Sequence, residues 1–163
     1  MFDDQTTALA TSVLEACRSA RLTVATVESC TGGLVGGALT AIAGSSDVVL
    51  GGLITYSNAA KTALAGVPTA LLAAHGAVSE PVARAMAEGG RTALASSLAV
   101  AVTGVAGPGG GSAEKPVGLV HFACAGPAGT VHRERRFGPL SRDEIRRLSV
   151  LTALEMLVEA ARG

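Results

Sequence analysis

Tryptophan is absent from these 163 residues, and all aromatics together make up 2% of them, with one Tyr and three Phe. The 48% hydrophobic content is therefore mostly Ala, Val and Leu. That predicts an aliphatic core and leaves few rings on which nucleic-acid bases could stack. Excess charge of one sign is absent as well: thirteen Lys and Arg balance thirteen Asp and Glu. No overall field draws in a polyanion, so direct nucleic-acid binding is not expected. Cysteine is scarce, and Cys17, Cys30 and Cys124 are odd in number, widely spaced and without a Cys-x-x-Cys arrangement. This argues against a disulfide framework and a thiolate zinc centre, and fits the cytoplasm. No apolar run reaches the roughly 18 residues of a membrane span. The opening "MFDDQTTALA" is acidic where a signal peptide is basic. The expectation is a soluble, unprocessed protein with no membrane partner.

The length suits one domain over residues 1–163, large enough to bury about 70% of the surface of its unfolded chain. Residues 5–20 place Ala8, Val13, Leu14 and Cys17 among good helix formers, with Arg18 and Arg21 where cations favour a helix C-terminus. "LTVATV" at 22–27 is short and β-branched, the pattern of a strand buried on both faces. Thr31 is a candidate N-cap for a helix through "GGLVGGALTAI", where each Gly costs about 1 kcal/mol against Ala. "DVVLGGLITY" at 47–56 reads as a second strand, followed by a helix capped by Ser57 or Asn58 and ending before Gly66.

Helices are expected at 68–74 and from Ser79 to about residue 95, then a buried strand "SLAVAVTG" at 97–104. Beyond a glycine-rich loop, "VGLVHFACA" and "GTVHRERRF" form a hairpin around Gly126, Pro127 and Ala128. An amphipathic helix from Ser141 to Ala161, with Leu148, Leu151, Leu154, Met156 and Val158 on its apolar face, closes the chain. Alternation of strands with crossover helices predicts an α/β fold: a three-layer α-β-α sandwich with a mainly parallel, mixed sheet of about five strands.

Ligands of such sheets bind beyond the carboxyl ends of the strands. Ser29, Tyr56 and the loop after Thr103 all fall at such ends. "VESCTGG" at 27–33 sets a hydroxyl beside a thiol where a strand gives way to a helix. Ser29 or Thr31 there is either a helix cap or part of a site in which helix N-terminal N–H groups hold an oxyanion. His75, His121 and His132 look structural, and no G-x-S-x-G elbow surrounds Ser29, so a Ser-His-Asp triad is disfavoured. Lys61, five residues after Tyr56, offers another base, since desolvation drives a buried lysine toward its neutral form. The alternative is a solvated Lys61 and a strand-end Tyr56.

"GVAGPGGGSAEKPVG" has neither Walker A nor G-x-G-x-x-G spacing. It is either a surface turn or an anion-binding loop of accessible N–H groups at Gly104, Gly107, Gly109, Gly110 and Gly111. The densest basic region holds Arg133, Arg135, Arg136, Arg142, Arg146 and Arg147. It is either a solvated face or, at Arg142 near a helix start, a phosphate site.

Five motifs occur in order: "ESCTGG" at 28–33, "GSSDV" at 44–48, "TYSNAAK" at 55–61, "HGAVSE" at 75–80 and "TGVAGPGGGSAEKPVG" at 103–118. As a set they resemble the CinA C-terminal domain family, from about Leu9 to Ala160. The resemblance implies a nicotinamide-nucleotide amidase, which hydrolyses the carboxamide of nicotinamide mononucleotide to nicotinic acid mononucleotide and ammonia. It implies Ser29 as nucleophile, Lys61 as its base and Tyr56 as a helper in proton transfer or orientation. Cys30, Thr31, Gly32, Thr103, Gly104, Gly107, Gly109, Gly110, Arg142 and Arg146 are then the substrate-binding set, with Cys30 otherwise a small buried filler.

No metal or cofactor is implied, and the partners expected are a nucleotide substrate and further copies of the chain. "PLSRDEIRR" departs from the family, which commonly has Gly-Asp before this arginine, so the match of Arg142 rests on Asp143 and Arg146. Many members add an N-terminal nucleotide-pyrophosphatase domain, which these residues do not include. Two other classes compete with the enzyme: a silent nucleotide-binding module and a competence-associated protein-interaction factor. Intact Ser29, Tyr56 and Lys61 favour the enzyme.

Overall fold

The computed structural model describes residues 1–163. Six helices, α1 (Asp4–Ala20), α2 (Leu34–Thr40), α3 (Asn58–Ala65), α4 (Thr69–His75), α5 (Glu80–Leu94) and α6 (Arg142–Arg162), surround five strands. The strands are β1 (Val24–Glu28), β2 (Val49–Ile54), β3 (Leu98–Gly104), β4 (Leu119–Gly126) and β5 (Gly129–Arg136). They form one sheet in the order β2-β1-β3-β4-β5. β1 is parallel to β2 and β3, while β4 is antiparallel to both β3 and β5. Four strands thus run one way and only β4 runs back, which is the α/β sandwich with a mixed sheet.

Helix boundaries follow local chemistry. Asp3 accepts the Thr6 N–H at 2.7 Å to start α1, and Ser57 accepts the Ala60 N–H at 3.0 Å to start α3. Gly66, at a φ of +66°, ends α3. Several expectations are corrected. Thr6 and Ala10, rather than Ala8, join Val13, Leu14 and Cys17 on the buried face of α1. Asp47 lies in a 3-10 turn, Ser45–Asp47, held by Arg18 at 2.7 Å, so β2 begins after it. β2 also ends at Ile54, leaving Tyr56 beyond the strand. Ser79 does not cap α5 but donates its hydroxyl proton to the Gly76 carbonyl. α6 is not amphipathic: Ile145, Val150, Leu151, Leu154, Leu157 and Val158 bury it on most sides, because it packs against α1 and α2 as well as against β3 and β4.

The core lies in two layers. One joins α1, α2 and α6 to Val24, Val100, Val102, Val120 and Phe122, and the other joins α3 and α5 to Val27, Ala101 and Ala123. Each large apolar side chain buried here contributes about 1.5–3 kcal/mol before the entropy cost. Small residues let α5 approach closely. A Cβ on Gly89 would strike the Ala65 carbonyl of α3, and one on Gly90 would strike Val27 of β1. α5 thereby lies directly against both α3 and β1.

β4 and β5 bring His121 and His132 together beneath the start of α5. His121 Nδ1 lies 2.9 Å from His132 Nε2. Glu80 is 3.5 Å from His132 and Glu134 is 4.0 Å from His121. Arg84 and Lys115 also face the pair, each opposing a further proton on one ring. Burial first, and then for His121 its neighbour His132, hold both imidazoles below the ordinary value. The short contact requires one ring nitrogen to keep its lone pair, so a second proton separates the rings. With folded values depressed below the unfolded value of about 6.5, this stabilisation is complete above about pH 6.5 and lost as pH falls through the folded values. The melting temperature is expected to drop between about pH 7 and about pH 5, with a flatter profile in His132→Asn. Equal slopes in the two proteins would dismiss the pair as the cause.

Candidate active site

Alternation along β1 sends two neighbouring residues to opposite faces of the sheet. Ser29, just past the strand, meets α3: its hydroxyl oxygen lies 3.1 Å from Lys61 Nζ, and its N–H is anchored to the Val102 carbonyl at 3.0 Å. Lys61 is 1% exposed. Its Nζ also donates to the carbonyls of Thr55 at 2.8 Å and Tyr56 at 3.3 Å, with no carboxylate among its partners. Burial, uncompensated by an acid, pushes the Lys61 pKa down. A neutral amine has two N–H donors and one lone pair, which matches two carbonyls and one hydroxyl. Burial also pushes the neighbouring Cys30 thiol up to about 11, so at neutral pH it is a thiol and not a thiolate.

Glu28 turns the other way. Its carboxyl, 1% exposed, accepts from Gly33 N at 3.0 Å, Val35 N at 3.1 Å and Gly36 N at 2.8 Å. This corrects the expectation that Thr31 caps α2. The N-cap position is Gly33, at a φ of +103°, and the buried Thr31 hydroxyl has no partner. A seven-residue helix is too short to persist alone. The Glu28 cap, together with burial of Val35, Ala38 and Leu39, sustains it. The α2 N-terminus is therefore filled from within the protein and does not supply oxyanion donors. Within this turn, the N–H groups of Cys30 and Thr31, immediately after Ser29, pair with no other residue of the chain. Gly32, at a φ of +59°, donates its N–H back to the Ser29 carbonyl at 3.0 Å and closes the turn.

Two arginines of α6 reach this region differently. Arg142, exposed, donates to the Gly107 carbonyl at 2.8 Å and to the Tyr56 hydroxyl at 3.3 Å. Arg146, partly buried, donates to the carbonyls of Cys30 at 3.1 Å and Thr31 at 3.3 Å. Tyr56 is 62% exposed, so its phenol faces Arg142 while its carbonyl holds Lys61. Arg133, Arg136 and Arg147 are taken up in ion pairs with Glu159, Glu134 and Glu144.

The glycine loop divides as well. Gly104 packs against Leu119 and Val120, and Gly107 against Val117, whereas Gly109 and Gly110 lie open. Thr103, 1% exposed, donates its hydroxyl proton to the Ala77 carbonyl at 2.9 Å and ties down the 75–80 segment. Lys115 reaches the His75 carbonyl from the other side. No cluster of three or more His, Cys, Asp or Glu is placed to share a metal ion.

Glu28 is the residue of this turn that sequence reasoning missed. Its signal was an acid at the end of a buried strand, just before the turn that opens a helix, where a carboxylate suits the helix N-terminus.

A profile of the CinA C-terminal domain matches residues 6–161, almost the whole chain. The chain belongs to the CinA C-terminal domain family. A CinA-like protein of Synechococcus sp. (strain RCC307) is 62% identical over 150 residues, which are 91% of this chain and 36% of that protein. One from Prochlorococcus marinus (strain MIT 9313) is 53% identical over 156 residues, 95% of this chain and 36% of that protein. The chain thus spans about a third of the length of the curated relatives it matches. Among solved CinA-family structures, competence/damage inducible protein CihA from Agrobacterium tumefaciens superposes with a TM-score of 0.96 at 50% identity, covering 98% of each chain. A CinA superfamily protein from Klebsiella pneumoniae superposes with a TM-score of 0.91 at 33% identity, covering 96% of this chain and 97% of that one. Competence and damage induction are what those names record. No helix here is long and apolar enough to cross a membrane.

Proposed function

We propose that this CinA-family chain is a nicotinamide-nucleotide amidase, hydrolysing the carboxamide of nicotinamide mononucleotide to nicotinic acid mononucleotide and ammonia. The observation that carries the reading is Lys61: a buried amine with no acid partner, 3.1 Å from the Ser29 hydroxyl.

Neutral Lys61 gives its two N–H donors to the carbonyls of Thr55 and Tyr56 and turns its lone pair to Ser29. It takes the hydroxyl proton as Ser29 Oγ bonds to the amide carbon, and the amide oxygen gains the negative charge. The N–H groups of Cys30 and Thr31 receive that oxyanion. As the C–N bond breaks, Lys61 returns the proton to the leaving nitrogen and ammonia departs. Water then attacks the acyl-Ser29 ester and gives a proton to Lys61, which returns it to Ser29 Oγ as the ester bond breaks and the acid is released. The scheme uses no metal and no cofactor.

Arg142 and the open backbone at Gly109 and Gly110 suit the ribose phosphate. Tyr56 joins the two ends, its hydroxyl on Arg142 and its carbonyl on Lys61. The exposed apolar residues Leu50, Ile54 and Tyr56, along and beyond edge strand β2, favour assembly of further copies of the chain. The cytoplasm remains the proposed location.

The direct test is incubation of purified protein with nicotinamide mononucleotide, measuring ammonia. Release of none, with binding retained, would favour a silent nucleotide-binding module. Arg142→Ala is expected to lower kcat/KM on the mononucleotide by more than about tenfold, the loss of one charged hydrogen bond of roughly 1.5–3 kcal/mol. Nicotinamide riboside, lacking the phosphate, should be nearly indifferent to the change. Equal losses on both substrates would remove Arg142 from phosphate recognition.

A further inference from the structure

Arg146 forms no ion pair, although its neighbour Arg147 is engaged by both Asp3 and Glu144. Its guanidinium is directed instead at two successive backbone carbonyls, those of Cys30 and Thr31, more than a hundred residues earlier in the chain. A bare phosphate ligand would not be held in this way. A peptide unit is planar and trans, so its C=O and N–H point in opposite directions from one rigid plane. The Cys30 carbonyl and the Thr31 N–H belong to the same unit. Gripping that oxygen from the α6 side therefore sets the direction of the Thr31 N–H, which has no acceptor in the protein. The second grip, on the Thr31 carbonyl, steadies the next unit, whose Gly32 N–H closes onto Ser29.

A cation on a carbonyl oxygen also polarises the amide and makes its N–H a stronger donor. Glu28 completes the clamp by taking the N–H groups of Gly33, Val35 and Gly36. Between the two charged side chains, the only donors of the turn left unspent are those beside the Ser29 hydroxyl.

We propose that Arg146 is a positioning residue for the oxyanion: by holding the Cys30–Thr31 peptide it aims the Thr31 N–H, together with that of Cys30, at the oxygen that becomes negative when Ser29 attacks. It does not read the substrate phosphate, which leaves that task to Arg142. The inference rests on the reading of Ser29 as nucleophile.

The test compares wild type, Arg146→Lys and Arg146→Ala on nicotinamide mononucleotide and on nicotinamide riboside. Lysine keeps the charge but lacks the planar fork that spans two carbonyls. The expected result is a fall in kcat of about tenfold to a thousandfold in both variants, equal on the two substrates, with KM little changed. Pyridine-3-boronic acid supplies a second readout. It forms a tetrahedral adduct on a reactive serine, its oxygen lying where the oxyanion does, and its affinity by competition or ¹¹B NMR should fall with kcat.

A loss confined to the phosphorylated substrate, or to KM, would overturn the proposal and make Arg146 a phosphate ligand. Unchanged kcat and boronate affinity in a folded variant would also overturn it, with the amidase reading intact. If wild type neither releases ammonia nor binds the boronate, the amidase reading itself fails, and this inference with it. Should the alanine variant not fold, the lysine variant carries the comparison. If both unfold, Arg146 is a brace of the fold and the proposal is withdrawn.

Discussion

Ser29→Ala is expected to abolish ammonia release from nicotinamide mononucleotide while leaving the far-ultraviolet circular dichroism and melting temperature almost unchanged. The chemical loss is large because no other nucleophile replaces the hydroxyl. By analogy with serine hydrolases in which the nucleophile has been removed, turnover falls by roughly a millionfold. The structural loss is small. Ser29 stays anchored through its N–H on Val102, which alanine keeps, and the side chain removed has one partner, Lys61. Neutral Lys61 still satisfies both N–H groups on Thr55 and Tyr56, so the cost is about one hydrogen bond, roughly 1 kcal/mol.

Cys30→Ala is the control. Its thiol is 5% exposed and its pKa is about 11, so replacement removes a packing group and no nucleophile. Retained activity is expected. A dead cysteine variant beside an active serine variant would make the protein a thiol hydrolase.

Lys61→Arg is expected to be nearly inactive in the same assay. Arginine holds its proton at any working pH, and its larger head must enter a space where lysine is 1% exposed. The pH profile of wild type follows from the same burial. The group works as a base only when neutral, so kcat/KM should fall on acidification through the Lys61 pKa. That pKa lies below the ordinary lysine value of about 10.4 because desolvation penalises the ammonium. The acid limb should therefore sit lower than an exposed lysine would place it, and it should persist in Arg142→Ala, whose effect is on substrate recognition. A Lys61→Arg variant with normal turnover would exclude lysine as the base.

Much of the scaffold was legible residue by residue. Ser57 capping α3, Gly66 ending it and the hairpin at Pro127 and Ala128 are local chemistry, decided within a few neighbours. The expectations that missed were those for which a distant element intervened. Leu148 is half-buried, whereas Val150 and Leu157 are buried, because α1 lies over α6 and makes a single apolar face the wrong template. Thr31 had the right residue type and position for a cap, yet Glu28, reaching forward from the strand, holds the N–H groups instead. A carboxyl that accepts three N–H groups outcompetes a hydroxyl that accepts one.

The sequence by itself determined the order of elements, the placing of Ser29 at the carboxyl end of a buried strand, and Tyr56 and Lys61 around the start of the helix after the next strand. Periodicity, capping and strand-end position are short-range properties of the chain. Tertiary structure decided the chemistry. Lys61 meets Ser29 across 32 residues and Arg146 meets Cys30 across 116. Only that convergence buries the amine without an acid, leaves the Cys30 and Thr31 N–H groups unspent, and separates Arg142 at the open loop from Arg146 behind the turn. A pKa and a hydrogen-bond partner depend on what surrounds a group in space. Here those surroundings come from helices on both faces of the sheet, with α5 packed against α3 through Gly89 and against β1 through Gly90.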